Sequence, residues 1–266
     1  MGPIMSTSSP PLADGAREGR EHLAVTSSPQ APGLLARMQH PATRVLAVAV
    51  AGYVAMSVTL VAIGLLITHG LSSLTRSELG ASRWFVNHRT AWGNDWTGWA
   101  SRIADTVGIL VVLVVAVVVL VALRRRWSAV LLAVALALEV LTFITVNTIV
   151  GRPRPPVERL GSLPSTSSFP SGHTAAMMAI YGALAITIGG RSRARSIVCW
   201  IIAVIATIAV GYARVYRGMH HVSDVTAGAL MGLAALAVAS AAVRAGKRPA
   251  ESPHHRPTFE HREVTS

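Results

Sequence analysis

Three short stretches carry most of the residues able to do chemistry: "NTIVGRPRPP" (147–156), "FPSGHT" (169–174) and "ARVYRGMHHVSD" (213–224). Together they hold Arg152, Arg154, His173, Arg214, Arg217, His220, His221 and Asp224. Cations and imidazoles gathered in this way suit a phosphate group. His220 and Asp224 are four residues apart, so on a helix they share a face; the carboxylate can hold one ring nitrogen and leave the other free as a nucleophile. His173, supplied by a different stretch, is then available as general acid for the leaving oxygen. Ser171 and Gly172 stand where an apolar run opens. If that run is a helix, its free N–H groups and the positive end of its dipole face an anion, and Gly172 lets the ligand approach the backbone.

The elements that must position these residues are legible in the hydropathy. The 266-residue chain is 52% hydrophobic and only 14% charged, too apolar for an ordinary soluble domain. Six runs have the length needed to cross roughly 30 Å of hydrocarbon: about 44–67, 103–123, 127–149, 173–190, 196–213 and 222–243. The expected fold is all-α, a polytopic six-transmembrane-helix bundle over residues 44–243. The flanks 1–43 and 244–266 are rich in Pro, Ser, Gly and charge and are expected to be disordered cytoplasmic tails. No cleavable signal peptide is expected, because the first apolar run begins after some 40 residues and is of full spanning length.

Arginine placement sets the orientation. Arg124, Arg125 and Arg126, then Arg191, Arg193 and Arg195, then Arg244, Lys247 and Arg248 all fall on one side of six alternating helices, which makes that side cytoplasmic. The protein is thus expected in the plasma membrane with both termini inside and the three polar stretches on the extracytoplasmic face. The formal net charge of +12 reflects this topology and not a nucleic-acid partner. Cys199 is the only cysteine, so no intramolecular disulfide can form, and no cluster of carboxylates offers a metal site.

Other features have plainer readings. Trp84, Trp92, Trp96 and Trp99 would line one side of a helix and are read as interfacial anchors. Gly228 and Gly232 form a GxxxG pair that permits close helix packing within the bundle. His221 is read as a polar interfacial residue, and Arg152, Arg159 and Arg217 can simply solvate a loop. Glu139 is an intramembrane carboxylate eight residues, or about 12 Å, from Asn147; at that depth it is read as a packing residue out of reach of a phosphate at the outer surface.

The three stretches taken in order resemble the type 2 phosphatidic acid phosphatase family, whose pattern is Lys, six residues, Arg-Pro; then Pro-Ser-Gly-His; then Ser-Arg, five residues, His, three residues, Asp. This chain offers Asn147 with Arg154-Pro155, Pro170-Ser171-Gly172-His173, and Ala213-Arg214 with His220 and Asp224, at the same spacings. The resemblance covers about 44–243 and neither tail. It implies that His220 attacks phosphorus to give a phosphohistidine, that Asp224 supports it, and that His173 protonates the leaving group. It also implies that Arg154, Arg214, Ser171 and Gly172 bind phosphate oxygens and that no metal or other cofactor takes part. The implied substrate is a lipid phosphate or pyrophosphate delivered by the bilayer. A lipid phosphotransferase using the same intermediate and a non-enzymatic transporter are the alternatives. Two positions depart from the pattern, Asn147 for Lys and Ala213 for Ser. Because Asn147 brings no charge, Arg217, three residues from both Arg214 and His220, is expected to supply it at the phosphate.

Overall fold

The computed structural model describes residues 40–162 and 165–248. The expected disordered tails lie outside the described residues, except that 40–43 and 244–248 mostly extend the first and last helices. Among the described residues all regular structure is helical: α1 (Pro41–Leu65, continued by a π-helical turn Leu66–Gly70), α2 (Ser72–Asn87), α3 (Ala91–Ile103), α4 (Thr106–Ala122), α5 (Arg126–Val150), α6 (Gly172–Gly189), α7 (Arg193–Tyr216) and α8 (Val222–Lys247). Five of these, α1, α5, α6, α7 and α8, are long and apolar enough to span a bilayer. Helices α3 and α4 reach that length and apolarity only together, bent by 49° at the intervening break, and make a sixth span if the pair crosses as one. Asp105 sits at that break and accepts the Gly108 N–H at 2.8 Å, which fixes the start of α4.

Helix α6 is the axis of the bundle. Its small buried residues Ala175, Ala179 and Ala183 let α5, α7 and α8 pack closely around it, with α1 behind α5 and α8. The GxxxG pair of α8 faces α6. A Cβ at Gly228 would lie 2.4 Å from the Ser171 carbonyl oxygen, and one at Gly232 would lie 2.3 Å from that of Ala175. These glycines therefore bring the N-terminal ends of α6 and α8 together; His173 lies on the first and His220 in the turn just before the second. Phe169, Leu132, Ile180, Met231 and Leu236 fill the core, whereas the apolar side chains of α4 and α7, such as Val115, Val118, Ile201 and Ile205, point outward as lipid requires.

The tryptophans do not share one helix. The chain breaks between α2 and α3, leaving Trp84 on the first and Trp92, Trp96 and Trp99 on the second. Trp92 and Trp99 are exposed, while Trp96 stacks on Tyr212 of α7 with ring centroids 5.5 Å apart.

Candidate active site

The segment between α5 and α6 cannot continue either helix. Gly151 ends α5 in the left-handed conformation (φ 59°), and Pro153, Pro155 and Pro156 follow. The loop folds back over the end of the bundle and meets the turn between α7 and α8. There Gly218 takes a positive φ of 72°, and any Cβ on it would lie 2.8 Å from the Glu158 carbonyl oxygen. That turn delivers His220.

The imidazole of His220 is oriented by the backbone. Its Nδ1–H donates to the Ser168 carbonyl at 2.7 Å, so the proton is on Nδ1 and Nε2 presents a lone pair. Arg154 Nη1 approaches that Nε2 at 3.4 Å and donates to the Met219 carbonyl at 2.6 Å. Burial, reinforced by repulsion from Arg214, holds the pKa of His220 well below its ordinary value of 6.5. The ring is a free base at neutral pH.

His220, His173, Gly172, Arg154 and Arg214 line one cavity of about 420 Å³ between α4, α5, α6 and the loops. Arg214, on the last turn of α7, is buried, and among the described residues its side chain has no hydrogen bond or ion pair; its Nε is fully enclosed without a partner. A cation in that condition has lost its water and gained nothing in exchange, which is the arrangement expected of a site awaiting an anion. Gly172 and His173 open α6, where the first-turn N–H groups have no intrahelical acceptor. Two guanidinium groups, a helix N-terminus and two imidazoles thus converge on one space. No group of three or more His, Cys, Asp or Glu side chains among the described residues is placed to hold a metal ion.

Residues 127–248, which carry every one of these groups, match the family model of the PAP2 superfamily. The matched part is similar to that superfamily and makes up just under half of the chain. The same fold occurs in the crystal structure of the first transmembrane PAP2-type phosphatidylglycerolphosphate phosphatase from Bacillus subtilis (23% identity, TM-score 0.63, over 70% of this chain and 94% of that one). It also occurs in the crystal structure of Aquifex aeolicus LpxE (25% identity, TM-score 0.51, over 61% of this chain and 94% of that one). The sequence has no match among curated proteins. The chain is a multi-pass membrane protein.

Within this site several residues stand elsewhere than their spacing implied. Asp224 does not hold the His220 ring: its Oδ2 is 3.9 Å from Nδ1. It instead accepts from the Ser168 hydroxyl, from the His221 N–H at 2.7 Å and from His221 Nδ1 at 3.1 Å, and pairs through Oδ1 with Arg152. Asp224 therefore orients His220 indirectly, by fixing the residue whose carbonyl the ring meets. Ser171 caps the tie between helices and does not face the cavity: its N–H donates to the Asp224 carbonyl at 3.0 Å and its hydroxyl meets that of Thr174. Asn147 also lies outside the cavity. Its Nδ2 donates to the Ser167 and Phe169 carbonyls at 3.1 and 3.3 Å, and its Oδ1 accepts the Ser167 N–H at 3.1 Å, so it braces the loop that carries Ser168.

Arg217 points away altogether. It is the C-cap of α7 and reaches sideways to α3, donating to the Asn94 carbonyl at 3.2 Å. The expected substitution of its charge for a motif lysine is therefore corrected. Arg152, read as a loop residue, is buried between Asp224 and Glu78, the latter at 2.7 Å. Glu78 on α2 also accepts the Ser223 N–H at 2.6 Å, at the head of α8. Glu78, Ser168 and His221 were missed as site residues. His221 carried a usable signal, since a residue three before an acidic one at a helix start is the capping-box spacing; Glu78 carried none, being 74 positions from its partner.

Proposed function

We propose that the protein is an integral membrane phosphatase that removes a phosphoryl group from a lipid phosphate or pyrophosphate through a phosphohistidine on His220. The observation that carries this reading is the unpartnered Arg214 guanidinium facing the same cavity as the lone pair of His220 Nε2. Arg214, Arg154 and the N-terminus of α6 hold the phosphoryl oxygens and neutralise their charge. Nε2 attacks phosphorus, the N–P bond forms as the P–O bond to the lipid breaks, and a proton passes from His173 to the departing oxygen. A water molecule then attacks phosphorus, losing its proton to His173; the N–P bond breaks and inorganic phosphate leaves. The positive charge on Nε2 in the intermediate is eased by proton sharing between Nδ1 and the Ser168 carbonyl.

The orientation has its own support. Arg124, Arg125, Arg126, Arg191 and Arg195 surround one recess at the end of the bundle away from His220. By the positive-inside rule that end is cytoplasmic and the site opens outward. Purified protein should release phosphate from phosphatidic acid, phosphatidylglycerol phosphate or a polyprenyl phosphate in the presence of EDTA. Rapid quenching should trap an acid-labile phosphoenzyme that His220→Ala abolishes. Absolute dependence on added Mg²⁺, or a phosphoenzyme that persists in His220→Ala, overturns the mechanism. With Cys199 replaced, a cysteine at Ser165 should react with an impermeant label on intact cells and one at Ser192 should not; the reverse pattern overturns the orientation.

A further inference from the structure

The cavity that holds His220 and His173 continues inward, and its deep wall includes a carboxyl group, that of Glu139. Glu139 is 3% exposed and makes no hydrogen bond or ion pair with any described residue. The depth of this group is set by Phe143, one turn above it on the same face of α5. A Cβ on Gly172 would lie 3.1 Å from the Phe143 ring, so Phe143 is level with the head of α6 where the phosphate is held. Glu139 is then about 6 Å below that level. Measuring from Asn147 put it too deep to matter, because Asn147 sits above the site, bracing the loop. The surrounding wall is apolar: Ile109 and Leu110 of α4 face Val140 and Ile144 of α5, and Leu110, Val140 and Ile144 are also exposed on the lipid side. A chain leaving the cavity there enters the bilayer directly.

We infer that Glu139 is a specificity-determining residue, whose carboxyl hydrogen-bonds an acyl ester carbonyl of the substrate next to its phosphate. This rests on the lipid phosphatase reading and narrows it to glycerolipid phosphates. In such a lipid the ester carbonyls lie about five to seven bonds from phosphorus, on the order of 6–8 Å. That matches the interval between the head of α6 and Glu139. A carboxyl O–H donates to a carbonyl, and among the described residues none is hydrogen-bonded to this carboxyl. A polyprenyl phosphate has only hydrocarbon at this depth and would leave a buried polar group unmet, which is the usual basis of discrimination against an analogue lacking a polar atom.

The test compares diacyl phosphatidic acid with its dialkyl ether analogue, which has the same chains and charge but no carbonyls, in mixed micelles. For the wild type kcat/KM should favour the diester by roughly 10- to 100-fold. Glu139→Leu should bring that ratio near one, and Glu139→Gln, whose amide still donates, should keep a preference between the two. A purely structural role would lower turnover of both lipids and leave the ratio alone. A wild-type ratio near one, or a ratio unchanged in both variants, overturns the inference. If Glu139→Leu does not fold, the ratio in Glu139→Gln decides: a value between that of the wild type and one supports ester recognition, and a value equal to that of the wild type overturns it. Hydrolysis of undecaprenyl phosphate but of neither glycerolipid overturns the role of Glu139 and leaves the phosphatase reading standing. Hydrolysis of no lipid phosphate overturns both.

Discussion

Arg214 and Arg217 are three residues apart, and the geometry assigns them opposite fates, which a pair of substitutions can separate. Arg214→Met keeps most of the side-chain volume and removes the charge. Each charge-assisted hydrogen bond to a phosphoryl oxygen contributes about 1.5–3 kcal/mol, and a guanidinium fork makes two, so the loss is about 3–6 kcal/mol. That corresponds to a fall in kcat/KM of roughly 10²- to 10⁴-fold. The same change should stabilise the empty enzyme, because a buried guanidinium without a partner is replaced by an apolar group of similar size. A gain of about 1–2 kcal/mol would raise the thermal midpoint in detergent by roughly 2–8 °C for a chain of this size. Vanadate, which mimics pentacoordinate phosphorus, should raise the midpoint of the wild type and not that of Arg214→Met. Arg217→Met, which severs only contacts to α3, should change kcat/KM by less than about threefold. Steady-state kinetics and thermal scans on both variants suffice. The reasoning fails if Arg217→Met loses as much activity as Arg214→Met, or if Arg214→Met is both active and less stable than the wild type.

Further outcomes follow from the same geometry. Asn147→Lys restores the residue of the family pattern yet should lower kcat/KM by about tenfold, because lysine cannot accept the Ser167 N–H and the loop bearing Ser168 loosens; a rise in activity would return position 147 to the phosphate. The depressed pKa of His220 means that below pH 6.5 the unfolded chain binds a proton the folded one refuses, so stability should be constant above about pH 7 and fall as the pH drops through and below 6.5. Thermal scans should show this slope lessened in His220→Gln, and an unaltered slope would refute the assignment. His173→Ala should slow alkyl phosphate hydrolysis far more than that of an aryl phosphate whose leaving group needs no proton; equal losses would argue against general-acid catalysis.

Hydropathy alone determined the helical spans, because a segment surrounded by lipid must satisfy its own backbone and be apolar along its length, and both demands are local. The expected runs 127–149, 173–190 and 222–243 correspond to α5, α6 and α8 within a few residues. The glycine pair of α8 was legible for the same reason, since only small side chains admit so close a neighbour. Which polar residues face the cavity is a different question, decided by partners far away in the chain. His220 and Asp224 have the spacing of a direct pair, but the ring turns to the Ser168 carbonyl because the loop braced by Asn147 brings that oxygen nearer than the carboxylate. Arg217 turns from the cavity because α3 offers it the Asn94 carbonyl, and Arg152 is drawn inward because α2 offers it Glu78. Spacing along one helix fixes which side chains share a face; the acceptor each one finally meets is set by the helix packed opposite, and no local pattern encodes that choice.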